Sequence, residues 1–196
     1  MVLTALLSVW DQTGLPDFAR GLVGQGMKII STGGTAQALR DARLKVVEVS
    51  DVTGFPEILD GRVKTLHPKI FGGILARRDD EAHWAQMDCH GITEIDLVCV
   101  NPYPFADVVA EGAPFSKCIE NIDIDGVALL RAAAKNYADV VVVSSPRDYE
   151  RVLEELRRPS GISLELREEL AWRAFRLTSD YDAAVAEYLA NHRSAR

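Results

Sequence analysis

The residues best suited to do chemistry lie in Asp60–Pro68, DGRVKTLHP, where Arg62, Lys64 and His67 fall within six residues of one another. Gly61 and Pro68 break regular structure on either side, so the stretch reads as a loop that presents charge to an anion. A solvated basic turn accounts for the same residues, and His67 can either touch a ligand or only hold the turn. A second polar stretch, Ser31-Thr32-Gly33-Gly34-Thr35, lies between a predicted strand and a predicted helix. Its glycines let backbone approach a ligand, its hydroxyls are donors, and free N–H groups at a helix start favour phosphate. A tight turn explains it equally well. The spacing departs from G-x-G-x-x-G, which argues against a nicotinamide cofactor.

Asp123 and Lys135 are candidates for proton transfer, twelve residues apart, one before a predicted helix and one near its end. Arg131 lies one turn before Lys135, and a neighbouring cation eases loss of a proton from a lysine. The alternative is a surface helix whose basic end suits the helix dipole. Tyr103 sits between Pro102 and Pro104, which restrict the backbone and can hold a phenol as donor to a developing oxyanion. The same tyrosine can simply pack.

The elements that must position these groups follow from the hydrophobic pattern. Apolar runs at Leu3–Val9, Met27–Ser31, Leu44–Val49, Ile95–Val100 and Val140–Val143 read as strands. Helical spacing predicts helices over Pro16–Gln25, Thr35–Ala42, Asp79–His90, Phe115–Glu120, the stretch after Gly126, Asp148–Arg157 and Ser163–Asn191. A brief helix is expected over Thr53–Leu59. The two glycines of IFGGIL leave that stretch without a strand assignment. Ser163 is a plausible cap for the last helix, although Leu166 stands where a capping box places Glu. The tail Arg193–Arg196 is expected to fray. Strands alternating with helices indicate an α/β fold whose parallel sheet is covered on both faces.

At 196 residues, with no repeat or linker, the chain is expected to form a single domain, 1–196, ending in a helical segment over about 163–191. A net charge of -7 argues against a nucleic-acid-coating surface and for a local basic pocket that takes a small phosphorylated ligand. Three cysteines in no metal-ligand spacing read as reduced thiols of a cytoplasmic protein. The opening MVLTALLSV lacks a basic start and is a poor signal peptide, and no run reaches membrane-spanning length.

Taken together, SVWDQTG, STGGTAQALRDA, VTGFPEILDGRVKTLHPKIFGGILARR, NPYPF, IDIDGVALLRAAAKN and FRLTSDYDAAVAEYL resemble the inosine monophosphate (IMP) cyclohydrolase domain, the amino-terminal half of the bifunctional purine-biosynthesis enzymes. GRVKTLHP with LLRAAAKN is the most specific pair. The resemblance implies a methylglyoxal-synthase-like, three-layer α/β/α fold with a mainly parallel sheet and a helical C-terminal extension, assembled as a homodimer. It implies closure of 5-formamidoimidazole-4-carboxamide ribotide (FAICAR) to IMP with loss of water, without cofactor or metal. Ser31, Gly33, Gly34 and Thr35 would hold the phosphate; Arg62, Lys64 and Thr65 would line the nucleotide. Asn101, Tyr103, Asp123 and Lys135 would surround the reacting groups, with Lys64, Tyr103, Asp123 and Lys135 as the catalytic set.

The chain departs from the family where the pocket is expected. SVSDKTG becomes SVWDQTG, so Trp10 replaces a serine and Gln12 a lysine. NLYPF becomes NPYPF, and IDIGG becomes IDIDG, which sets Asp125 beside Asp123, ahead of Gly126. A second carboxylate there would raise its neighbour's pKa or repel an anionic intermediate. Trp10, Gln12, Asp125 and Gly126 therefore join the expected substrate-binding residues. The transformylase half is expected to be a separate partner. Two further readings stay open: a paralogue acting on a related modified nucleotide in specialised nucleoside biosynthesis, and a non-catalytic nucleotide sensor.

Overall fold

A computed structural model of the chain describes residues 3–194; Met1, Val2 and positions 195 and 196, the end of the tail expected to fray, lie outside the described residues. The described residues contain five strands: β1 (Thr4–Val9), β2 (Lys28–Ser31), β3 (Val46–Glu48), β4 (Leu97–Asn101) and β5 (Val141–Val143). All neighbours pair in parallel, in the order β3-β2-β1-β4-β5. Ala5, Leu6, Leu7, Val98 and Val142 are fully covered, which is why these strands read as unbroken apolar runs instead of alternating.

Parallel pairing requires crossovers, and helices supply them. α1 (Leu15–Gly24) and α2 (Gly33–Asp41) follow β1 and β2; α3 (Val49–Thr53), α4 (Pro68–Leu75) and α5 (Glu81–His90) lie between β3 and β4. α6 (Phe105–Ala110), α7 (Phe115–Glu120) and α8 (Asp125–Lys135) connect β4 to β5, and α9 (Tyr149–Leu156) and α10 (Leu164–Ser194) follow. The chain steps outward from β1 in one direction and from β4 in the other, so right-handed crossovers put α1 and α2 on one face and α8 on the opposite face. α9 packs on α1, and α4 and α10 pack on α8, completing the three layers. A crevice opens between the carboxyl ends of β1 and β4, where the strand order reverses.

The helix expected over Thr53–Leu59 is displaced. α3 occupies Val49–Thr53 and stops at Gly54, whose φ of 71° suits a glycine terminator. Beyond it, Leu59 and Asp60 hold left-handed φ values of 54° and 53° within a short 3-10 turn. IFGGIL is helical, within α4. A side chain on Gly73 would run into the Thr93 carbonyl, and the Gly73 carbonyl accepts the Ile95 N–H at 3.0 Å, so glycine there permits close approach of α4 to the segment entering β4.

Ser163 caps α10, its hydroxyl accepting the Leu166 N–H at 3.3 Å. The carboxylate missing from the capping box comes from α9: Glu155 accepts from the Ser163 N–H at 3.0 Å and the Ser163 hydroxyl at 2.8 Å. α10 runs past the expected end at Asn191 through Ser194, so Arg193 is helical. Cys89, Cys99 and Cys118 are free thiols, and burial pushes Cys99 up to about 12. No helix of the described residues is long and apolar enough to cross a membrane.

Candidate functional site

The crevice holds a cavity of about 230 Å³ whose walls come from five stretches of the chain. The ends of β1 and β4 supply Ser8, Val9, Trp10, Asn101 and Tyr103; the start of α2 supplies Thr32 to Thr35; the basic loop supplies Lys64; and the approach to α8 supplies Asp123, Asp125 and Gly126. Gln12 lines it as well, and past Trp10 it opens into a wider groove of about 810 Å³ that reaches Ser144 and Pro146.

On the sheet side, register sets position. Val9 pairs with Asn101, so the residues that follow each strand emerge side by side, and the Trp10 and Tyr103 rings meet at 4.8 Å. The Asn101 carboxamide accepts the Asp11 N–H at 2.7 Å and donates to the Asp11 carbonyl at 3.1 Å, which braces the Trp10–Thr13 turn. Thr35 accepts the Val9 N–H at 2.9 Å and donates its hydroxyl to the Val9 carbonyl at 3.0 Å. The Ser31 hydroxyl donates to the Leu7 carbonyl at 2.7 Å and is fully buried. Both hydroxyls therefore bond to the backbone of β1, Thr35 from the cavity wall and Ser31 from behind it. α2 still opens on the cavity through Gly33, at φ 56°, and Gly34, and no side chain caps it. Its first N–H groups have no partner within the helix and carry the positive end of its dipole. Thr32 donates its hydroxyl to Glu57 at 3.3 Å.

On the opposite wall the basic loop divides. Lys64 lines the cavity. Arg62, expected to line the nucleotide, forms a two-pronged pair with Glu120 at 2.9 and 2.6 Å, exposed and away from the cavity walls. Thr65 is fully buried and turns inward to Asp125. His67 accepts the Lys69 N–H on Nδ1 at 3.1 Å and so caps α4, the turn-holding alternative.

Asp123 sits before α8, where Oδ1 accepts the Gly126 N–H at 2.8 Å and Oδ2 the Tyr103 N–H at 3.3 Å. A Cβ at Gly126 would lie 2.5 Å from the Asp123 carboxylate, so only glycine leaves room for it. Burial holds the Asp123 carboxyl above the usual aspartate range; the two N–H groups and Lys64 pull it down, and Asp125 adds a smaller upward push. Tyr181 of α10 donates to the Asn121 carbonyl and accepts the Asp123 N–H at 2.8 Å. Sequence reasoning missed this brace, because Tyr181 falls at core spacing along α10.

Lys135 is at the far end of the same helix. At a rise of about 1.5 Å per residue, α8 separates it from Asp125 by roughly 15 Å, and it is exposed and absent from the cavity walls. Within one chain, Asp123 and Lys135 do not converge, because a straight helix cannot bring its two ends together.

Residues 14–128 match the profile of the MGS-like domain, and residues 133–196 match that of the AICARFT/IMPCHase bienzyme. The bifunctional purine biosynthesis protein PurH of Parvibaculum lavamentivorans is 58% identical over 187 residues, 95% of this chain and 35% of that protein. PurH of Acetivibrio thermocellus is 53% identical over 190 residues, 96% of this chain and 37% of that protein. The chain thus spans about a third of the length of the curated relatives it matches. The crystal structure of ForH superposes with a TM-score of 0.80 at 40% identity, covering 94% of this chain and 97% of that one.

Proposed function

The chain belongs to the MGS-like domain family, and from that premise we propose that it acts in purine biosynthesis as an IMP cyclohydrolase, closing FAICAR to IMP with release of water. One observation carries the reading: an uncapped helix start suited to a phosphate and the trio Lys64, Tyr103 and Asp123 line a single cavity. Matches to PurH at 58% and 53% identity support the purine assignment.

In this reading the phosphate rests on the N–H groups of Gly33 and Gly34. The carboxamide nitrogen attacks the formyl carbon of the same molecule, so holding the two arms together supplies much of the acceleration. Asp123, its basicity raised by burial, accepts the proton that the nitrogen loses. The Lys64 ammonium and the Tyr103 phenol stabilise the alkoxide that forms, and its oxygen leaves as water when the ring becomes aromatic. The formyl-transfer step falls to a transformylase that supplies the substrate.

Lys135 enters the mechanism only from a second copy. It shares a face of α8 with Arg131, which stands 5.7 Å over the Phe175 ring of α10, and Ile124, Trp172 and Phe175 are exposed. An apolar patch with basic residues along one edge suits a homodimer, in which each chain offers Lys135 to the other. Incubation with FAICAR tests the reading: growth of the hypoxanthine ultraviolet chromophore supports it, and bound but unconverted FAICAR assigns a sensor instead. A paralogue acting on a related nucleotide is the second reading, favoured by Trp10, Gln12 and Asp125 on the cavity wall and by the likeness to ForH. It predicts neither binding nor conversion of FAICAR.

A further inference from the structure

Asp125 opens α8 on the cavity wall, yet it is only 7% exposed, and its two oxygens have different surroundings. Oδ2 accepts three hydrogen bonds, from the Thr65 N–H at 2.8 Å, the Thr65 hydroxyl at 2.9 Å and the Lys64 N–H at 3.3 Å. Oδ1 is buried with no hydrogen-bond partner. A buried acceptor left unmet is costly, and a group beside a cavity can be met by what the cavity binds. Phosphate is the wrong occupant for this end, since Asp123 and Asp125 would repel it, while the opening of α2 favours it at the other wall. The carboxylate end is left for the uncharged base.

We propose that Asp125 determines specificity: Oδ2 fixes the Lys64 loop, and Oδ1 accepts a hydrogen bond from a ring N–H of the bound nucleotide, selecting a base with a donor on that edge over one with acceptors alone. The inference rests on the nucleotide reading above and names the base chemistry of that same site. It also predicts the behaviour of the nearest isostere. In Asp125→Asn the three donors from Lys64 and Thr65 require the carbonyl oxygen at the Oδ2 position, which forces the amide NH2 into the place of Oδ1. An acceptor becomes a donor without loss of the clamp, so the preference reverses.

Isothermal titration calorimetry on the full chain and on Asp125→Asn, with inosine 5′-monophosphate (N1–H, a donor) and purine riboside 5′-monophosphate (bare N1, an acceptor), tests this. The wild-type chain is expected to favour the first by about tenfold or more, and Asp125→Asn to favour the second. Equal binding by the wild type, or an unchanged preference in the variant, overturns the inference and leaves the nucleotide reading in place. Failure of both nucleotides to bind the wild type removes that reading and the inference with it. N1-methylinosine 5′-monophosphate on the wild type alone gives a readout independent of the variant's folding: affinity equal to that of the parent nucleotide also overturns the assignment.

Discussion

The wall of the cavity that rises from the sheet and the wall contributed by residues 54–67 are held by different means. The first is fixed by buried hydrogen bonds between strand ends and the start of α2, through Ser31, Thr35 and Asn101. The second crosses an exposed stretch with Leu59 and Asp60 in the left-handed region, and its Lys64 and Thr65 are fastened to the rest of the molecule by one carboxylate, Asp125. Backbone donors therefore come from one side and the Lys64 ammonium from the other. The contrast teaches that equal importance to chemistry need not mean equal importance to stability.

Substituting across that divide can break the contrast, and Lys64→Ala has the largest expected effect. It should lower ring closure at least about 100-fold while moving stability by less than about 0.5 kcal/mol, measured by the chromophore assay and by urea melts. A melt shifted as much as the rate would erase the distinction. Thr35→Val should do the reverse: the Val9 N–H and carbonyl lose their partner in a buried place, at a cost of about 2 kcal/mol visible in thermal unfolding. A variant as stable as wild type would show that the sheet side is not held as described.

A finer test uses pH. Because burial raises the Asp123 carboxyl, the folded chain keeps that proton to higher pH than the unfolded chain does. Its contribution to stability is fully present below the ordinary aspartate range and is lost as pH rises through the folded value. Asp123→Asn should remove this decline, so urea midpoints compared at stepped pH should differ in slope; parallel profiles would mean that the carboxyl is not raised. The smallest effect is expected from Arg62→Ala. Its exposed partnership with Glu120 is screened by solvent, so the urea midpoint should stay where it is, and nucleotide affinity by calorimetry should not change. A tenfold loss of affinity would move Arg62 from its surface pair into the site.

Much of the scaffold was legible because the buried parallel strands are short apolar runs that only crossovers can join. The glycine-bearing α4 was not, since its glycines answer to the Thr93 carbonyl, a neighbour distant in sequence. The site was legible in residue type but not in direction. Arg62, Lys64 and Thr65 fall within four residues of DGRVKTLHP, yet one faces solvent, one the cavity and one the interior, because Glu120 and Asp125 claim the outer two. Ser31 and Lys135 illustrate the same limit: a hydroxyl beside a phosphate turn can be used by the sheet, and a helix fixes the distance between its own ends.

Of the three tryptophans only Trp10, 54% exposed with its indole against Tyr103, lines the cavity; Trp84 donates its ring N–H to the Arg78 carbonyl and Trp172 is exposed on α10. An indole so placed is a native optical gauge: whatever enters the cleft alters the polarity and quenching around one fluorophore. Occupancy can thus be followed by emission on unlabelled protein, even with compounds that are never turned over.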